Sequence, residues 1–285
     1  MWPSAFEYQR PVSLAEALQV LSDHEDAKVL AGGHSLLPAM KLRLAEHEML
    51  VDIGRLSELK EIITIRNGGV KIGALATHAE IAASVDVQRA CPALASAAGM
   101  VGDQQVRNWG TLGGNLAHSD PASDPTTVVL ACGGTIQIQS ASGSRSVSAD
   151  DFFIDLFTVD INPGELITSV ELPDLSRHKS AYVKMAHPAS RYAVVGVGVV
   201  LEMSGNTCTS ARVAVGGATV KPTRAPGAES ALAGSTLDEA ALNAAADAVK
   251  SDIADMLIGD MNYPEDYRQE MAGVYLKRAV RAALS

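Results

Sequence analysis

The chain has 285 residues, 47% of them hydrophobic and 20% charged; this ordinary globular mix excludes disorder and fibrous repeats and, at roughly 150 residues per domain, favours two packed units. Thirty-three acidic against 23 basic side chains give a formal charge of −10 without any basic stripe, which argues against nucleic acid as the main partner. The longest apolar run, Ala193 to Leu201, is about half of the ~20 residues a membrane-spanning helix needs and reads as a buried strand.

Met1 to Glu7 lack the basic start and apolar stretch of an export signal. Cys91, Cys132 and Cys208 are too few and too scattered for a disulfide framework or a four-thiolate iron–sulfur cluster, so a reducing, cytoplasmic setting is expected.

In chain order, Ser13-Leu14-Ala15-Glu16 is a capping box, and Leu14, Ala17, Leu18 and Leu21 follow helical spacing behind it. Val29 to Ala31 reads as a strand entering Gly32-Gly33, with a helix over Leu36 to Leu44. Met49 to Ile53 is another strand. Ile62 to Ile65 and Val70 to Ile72 flank Asn67-Gly68-Gly69, a hairpin signal. Thr77-His78-Ala79-Glu80 caps a further helix, and an alanine-rich helix is expected over Pro92 to Met100. From Gly102 to Pro125 neither period appears, and a long functional loop is expected there. A short helix over Thr127 to Cys132 and strands over Ile136 to Gln139 and Leu166 to Leu172 follow, with a domain boundary between Pro173 and His178. Beyond it, Tyr182 to Met185, Ala193 to Met203 and Thr207 to Val215 suggest an antiparallel sheet, turning at Ser204-Gly205-Asn206. Two helices close the chain, one behind the capping box Thr236-Leu237-Asp238-Glu239 and one starting near Pro264; Asp255 to Tyr263 reads as loop.

Two glycine turns carry the chemistry: Ala31-Gly32-Gly33-His34-Ser35 and Gly110-Thr111-Leu112-Gly113-Gly114-Asn115. Missing Cβ atoms let backbone amides approach an anion, and two separate turns can grip a diphosphate from opposite sides. The common nucleotide fingerprints are absent: Gly196-Val197-Gly198 continues as Val199-Val200-Leu201, and no P-loop lysine follows a glycine turn. Gly33-His34-Ser35-Leu36-Leu37 lacks the last glycine of a hydrolase elbow. The seven histidines show no metal-binding spacing, and His34, His118 and His187 read as turn or surface hydrogen bonders; no metal site is expected.

Ala31 to Arg43 (AGGHSLLPAMKLR) and Gln105 to Pro121 (QVRNWGTLGGNLAHSDP) resemble the FAD-binding medium subunits of molybdenum hydroxylases, most nearly those of the carbon monoxide dehydrogenase type. The likeness runs nearly end to end, from Phe6-Glu7-Tyr8-Gln9-Arg10-Pro11 to Tyr267-Arg268 and Met271-Ala272-Gly273-Val274. It implies an α+β fold: a PCMH-type FAD-binding domain over 1–175, with two α/β lobes of about 1–54 and 55–175, followed by a C-terminal antiparallel sheet with helices over 176–285.

The resemblance also implies that Ala31, Gly32, Gly33, His34, Ser35 and Leu36, with Thr111, Gly113, Gly114 and Asn115, hold the FAD pyrophosphate and its sugars, chiefly through backbone amides. Asp124 then lies at the ribose hydroxyls and Lys184 near the flavin, while Val101 and Ile167 lie beside the ring system. Tyr192 covers or gates it. Without the family, Asp124 reads as a turn aspartate, Lys184 as a surface strand lysine, and Val101 and Ile167 as core. Arg191 stands where several relatives carry an acid, and is expected to favour the reduced, anionic flavin.

No side chain is assigned proton-transfer catalysis. The resemblance makes this chain one part of an oxidoreductase: a large subunit with a molybdopterin-type cofactor oxidises substrate, a small subunit with two [2Fe–2S] clusters relays electrons, and FAD here passes them to an external acceptor. A dimer of such heterotrimers, a heterohexamer, is the expected assembly. Rival readings are a stand-alone flavin oxidase of similar fold and an assembly module without flavin.

Overall fold

The computed structural model describes residues 2–285. Strands β1 (Glu7–Gln9), β2 (Ala27–Leu30) and β3 (Met49–Asp52) form a parallel sheet in the order β1-β3-β2. Parallel strands require crossovers, supplied by α1 (Leu14–Asp23) and α2 (Leu36–Lys41). Ser13 Oγ accepts from Glu16 N at 3.2 Å, and Ala17, Leu18 and Leu21 bury one face of α1 against Met49, Val51 and Ile53. Only half of the predicted box forms, because the Glu16 carboxylate takes the Val12 amide instead. Helix α2 stops three residues short of the expected Leu44, as Arg43 turns into the left-handed region at φ 58°.

The predicted hairpin is present as β4 (Ile62–Thr64) and β5 (Val70–Gly73). Six helices follow: α3 (His78–Ala83), α4 (Val85–Ala90), α5 (Pro92–Met100), α6 (Gln104–Trp109), α7 (Leu112–His118) and α8 (Asp124–Ala131). Then come β6 (Thr135–Ser140), β7 (Gly143–Ser148), the short α9 (Ala149–Phe152), a small hairpin of β8 (Phe153–Asp155) and β9 (Thr158–Val159), and β10 (Leu166–Leu172). The five-stranded sheet β4-β5-β10-β6-β7 is antiparallel throughout. Its apolar face, with Ile72, Ile136 and Val170, packs beneath Leu94, Ala97 and Val128 of α5 and α8.

In the last part, β11 (Lys179–Ala186), β12 (Ala193–Ser204), β13 (Thr207–Gly216) and β14 (Thr223–Arg224) form an antiparallel sheet in that order. The run Ala193 to Leu201 is buried throughout because β12 is covered on both faces, by α8 on one side and α12 (Glu265–Leu284) on the other. Helices α10 (Pro226–Leu232) and α11 (Glu239–Asp252) join α12 around a second core of Val197, Val199, Leu242, Val249 and Leu276.

Several expectations need correction. The stretch Gly102 to Pro125 is largely helical, containing α6 and α7; with 6 and 7 residues these show no period in sequence, and each is started by a side chain, Asp103 for the Val106 amide and Thr111 for the Gly114 amide. The box at Thr236 does not form: Asp238 caps α11 by accepting from Ala241 N, and Leu237 before it has φ 56°. Pro264 caps α12 from outside its first turn. Elements α4, α10 and β7 were not legible, being short or polar.

Candidate functional site: a cleft between the lobes

Gly32 brings the two glycine turns together. A Cβ there would stand 2.0 Å from the Trp109 carbonyl oxygen, so only glycine lets the first turn press against the end of α6. On the neighbouring side, a Cβ on Gly114 would be 3.7 Å from that of Ala31. Turns about eighty residues apart in sequence thus share one wall. Gly33 has φ 73°, a backbone state that L side chains rarely adopt.

The turns differ in what they offer. Among the described residues, the amides of Gly32, Gly33, His34, Ser35 and Leu36 have no hydrogen-bond partner within the chain. In the second turn the amides are engaged: Leu112 N donates to Ala76 O at 3.0 Å, Gly113 N to Ala74 O at 2.8 Å, and Gly114 N to Thr111 Oγ1 at 3.2 Å. Gly113 is a glycine because α7 lies against Ala74, whose Cβ would be 2.6 Å from its own. Free backbone amides therefore run along the first turn, and those of Leu112, Gly113 and Gly114 in the second are occupied. From the second, Asn115 offers its side chain: Oδ1 accepts from Ser123 Oγ at 2.7 Å, leaving the Nδ2 donors without a partner among the described residues.

Both turns line a cleft of about 1000 Å³, at the upper end of the range for small-molecule sites. It gathers Ala31, Gly32, Gly33, His34, Ser35 and Leu36 with Thr111, Gly113, Gly114 and Asn115, and adds Val101, Asp124, Ile167, Arg191 and Tyr192. Of the residues that the resemblance assigns to the cofactor, Lys184 alone does not line it. Lys184 is no surface residue either: its side chain is 5% exposed and its ammonium meets Asp124 Oδ2 at 2.5 Å, Arg191 O at 2.8 Å and Met100 O at 3.1 Å. Tyr182 donates to Asp124 Oδ1 at 2.6 Å. Burial pushes the Asp124 carboxyl up, and Lys184 and Tyr182 pull it part of the way back.

His34 and His187 are the turn hydrogen bonders expected, the first paired with Gly32 O and the second accepting from the Ala189 and Ser190 amides. His118 is different: it faces the cleft and lies beside Phe157, ring centroids 5.2 Å apart. His78, read in sequence only as part of a helix start, also lines the cleft; its ring is buried, Nδ1 has no partner, and burial lowers its pKa to about 4. Its position after Thr77 was the only signal, and a lone histidine at a helix start gives none for a cleft. Among the described residues no group of three or more His, Cys, Asp or Glu is placed to hold a metal ion, and no helix is long and apolar enough to cross a membrane.

The parallel lobe, the antiparallel lobe and the cleft between them define the flavin-binding class of subunit. Residues 4–175 match the family model for the FAD binding domain in molybdopterin dehydrogenase, and residues 180–283 that for the CO dehydrogenase flavoprotein C-terminal domain. The glyceraldehyde dehydrogenase medium chain of Sulfolobus acidocaldarius is 40% identical over 99% of both chains, and the carbon monoxide dehydrogenase medium chain of Hydrogenophaga pseudoflava 38% identical over 99% of this chain and 98% of its own. The solved carbon monoxide dehydrogenase of Oligotropha carboxidovorans superposes with a TM-score of 0.95 at 36% identity, covering 99% of each chain. The chain belongs to the FAD-binding medium subunits of the molybdenum hydroxylases, which are oxidoreductase subunits.

Proposed function

We propose that this chain is the electron-transfer subunit of a molybdenum-containing dehydrogenase, taking electrons from [2Fe–2S] clusters of a small partner subunit and delivering them through FAD to an external acceptor. The large partner carries the molybdopterin-type cofactor and chooses the substrate. A dimer of heterotrimers in the cytoplasm is the assembly proposed. The division into a domain over 1–175, with lobes 1–54 and 55–175, and a domain over 176–285 is supported by the separate three-, five- and four-stranded sheets.

The observation that carries the reading is the run of five unpartnered amides from Gly32 to Leu36 on the cleft wall. Amides clustered in a turn form a concave positive surface suited to a diphosphate, and Asn115 Nδ2 adds donors from the opposite turn. We assign the pyrophosphate and sugars of FAD to Ala31, Gly32, Gly33, His34, Ser35, Leu36, Thr111, Gly113, Gly114 and Asn115. Gly113 contributes by packing. Asp124 keeps acceptor capacity for a ribose hydroxyl, since a carboxylate has about four lone-pair sites and two are used. Val101 and Ile167 supply apolar wall, and Tyr192 stands half-exposed at the rim. FAD, when bound, supplies a centre that exchanges electrons singly with iron–sulfur clusters and in pairs with other acceptors. The protein's part is to hold it, orient it and limit solvent around it.

The test is co-expression and purification with the large and small subunits. About one FAD per chain, released by acid, is the expected result; a flavin that stays covalently attached, or a chain purified without partners that oxidises substrate itself, would favour a stand-alone oxidase. A complex without flavin would favour an assembly module.

A further inference from the structure

Lys184 lies on β11 opposite Gly196 of β12. Side chains alternate along β11: Ala181, Val183 and Met185 pack towards the C-terminal helices, while Tyr182 joins the core of the N-terminal part. Lys184 shares the Tyr182 face and so reaches out of its own domain.

An ammonium has three hydrogens. Here each meets one acceptor, and each acceptor belongs to a different segment: Met100 O at the end of α5, Asp124 Oδ2 at the start of α8, and Arg191 O in the loop between β11 and β12. Every acceptor adjoins or is a cleft-lining residue, namely Val101, Asp124 itself and Tyr192. The loop needs holding, because Arg191 has φ 62° without being glycine, a strained state that persists where surroundings enforce it. Within the loop, Arg191 N donates to His187 O and His187 N to Tyr192 O; the Lys184 ammonium is what binds it to α5 and α8.

We propose that Lys184 is a positioning residue, a latch that holds the 187–192 loop and Tyr192 across the mouth of the flavin cleft and thereby sets how far the bound flavin is open to solutes. Its three donors are met by acceptors of the protein itself. This rests on the FAD reading above.

The test uses the purified complex carrying Lys184→Met or Lys184→Arg, with three readouts: FAD released per chain, the visible circular dichroism of the flavin, and quenching of flavin fluorescence by iodide. Lys184→Met is expected to keep its FAD, to alter the dichroism, and to raise the iodide quenching constant about fivefold as the loop opens. Lys184→Arg, which keeps charge and donors, is expected to lie between it and wild type. In a cycle with Tyr192→Ala, the double variant is expected to be no more open than the single ones, because both remove the same cover. If Lys184→Met is not recovered folded, Lys184→Gln, which keeps two amide donors without the charge, is read in its place.

Unchanged quenching and dichroism with FAD retained would overturn the latch alone. Loss of FAD from Lys184→Met while the loop keeps its wild-type resistance to proteolysis would make Lys184 a ligand and overturn it too. Wild-type complex without flavin overturns the functional reading, and the latch with it.

Discussion

Gly32 packs against the backbone carbonyl of Trp109 so closely that any Cβ would stand 2.0 Å from its oxygen. That contact joins the strand-following turn of the first lobe to the helices of the second, and Gly32→Ala has nowhere to go but apart. It is expected to lower stability by about 1–3 kcal/mol, the usual cost of overpacking, and to reduce FAD per chain well below one. Acid-released flavin and thermal unfolding measure the two effects; a variant with normal flavin content would detach the turn from the cofactor.

His78 gives the protein an acid sensitivity with a definite sign. Its pKa is about 4 in the folded chain against an ordinary 6.5, because burial opposes the charged ring. The unfolded chain therefore takes up a proton first as pH falls. Stability is complete above about pH 6.5 and declines down to about pH 4, by roughly 3 kcal/mol from this group. Burial also lowers His47 and His118, which act in the same direction. Urea unfolding across that window is expected to show the decline, with a shallower slope in His78→Asn.

Arg191 lies on the cleft wall beside Tyr192. A positive charge there favours a reduced, anionic flavin, so Arg191→Ala is expected to lower the flavin reduction potential, on the order of 20 mV for a partly screened charge. Redox titration of the complex decides it, and an unchanged potential refutes the charge effect.

Cys91 and Cys132 face each other with sulfurs 3.1 Å apart in the N-terminal core, and Cys208 is buried in the C-terminal one. The hydrogen bond with Cys91 and, after it, burial raise the Cys132 thiol, and burial raises that of Cys208. Native protein is expected to leave all three unreacted with a thiol-disulfide reagent over minutes, and to expose three on unfolding in urea. Rapid native labelling would mean that a core opens.

Arg268, in α12, donates to Tyr263 O at 3.0 Å and to Gly217 O at 2.5 Å and pairs with Asp260, tying the long loop before the helix to the sheet. Arg268→Met strands the Gly217 carbonyl and is expected to cost about 2–4 kcal/mol in unfolding free energy, with flavin retained in the folded fraction.

The amino-acid order by itself determined the elements whose signal is local. Ser13 and Thr77 start helices because a side-chain oxygen three residues from an amide is enough, and Asn67-Gly68-Gly69 turns a hairpin for equally short-range reasons. Two long glycine motifs and an end-to-end likeness supplied the family. Where the signal was split, reading failed: α6 and α7 are too short to show a period, and their caps look like loop residues.

Tertiary structure alone decided what each conspicuous residue does. Gly113 is fixed by its contact with Ala74, the amides of Leu112, Gly113 and Gly114 are spent inside the protein, and the run of free backbone amides sits in the first turn. His78 joins the cleft because α3 is docked there, and Lys184 turns inward because β11 lies over α5 with Asp124 at the start of α8 within reach. The reason is common to all of them: hydrogen-bond capacity belongs to an atom, but whether that capacity is free depends on what distant segments are packed beside it.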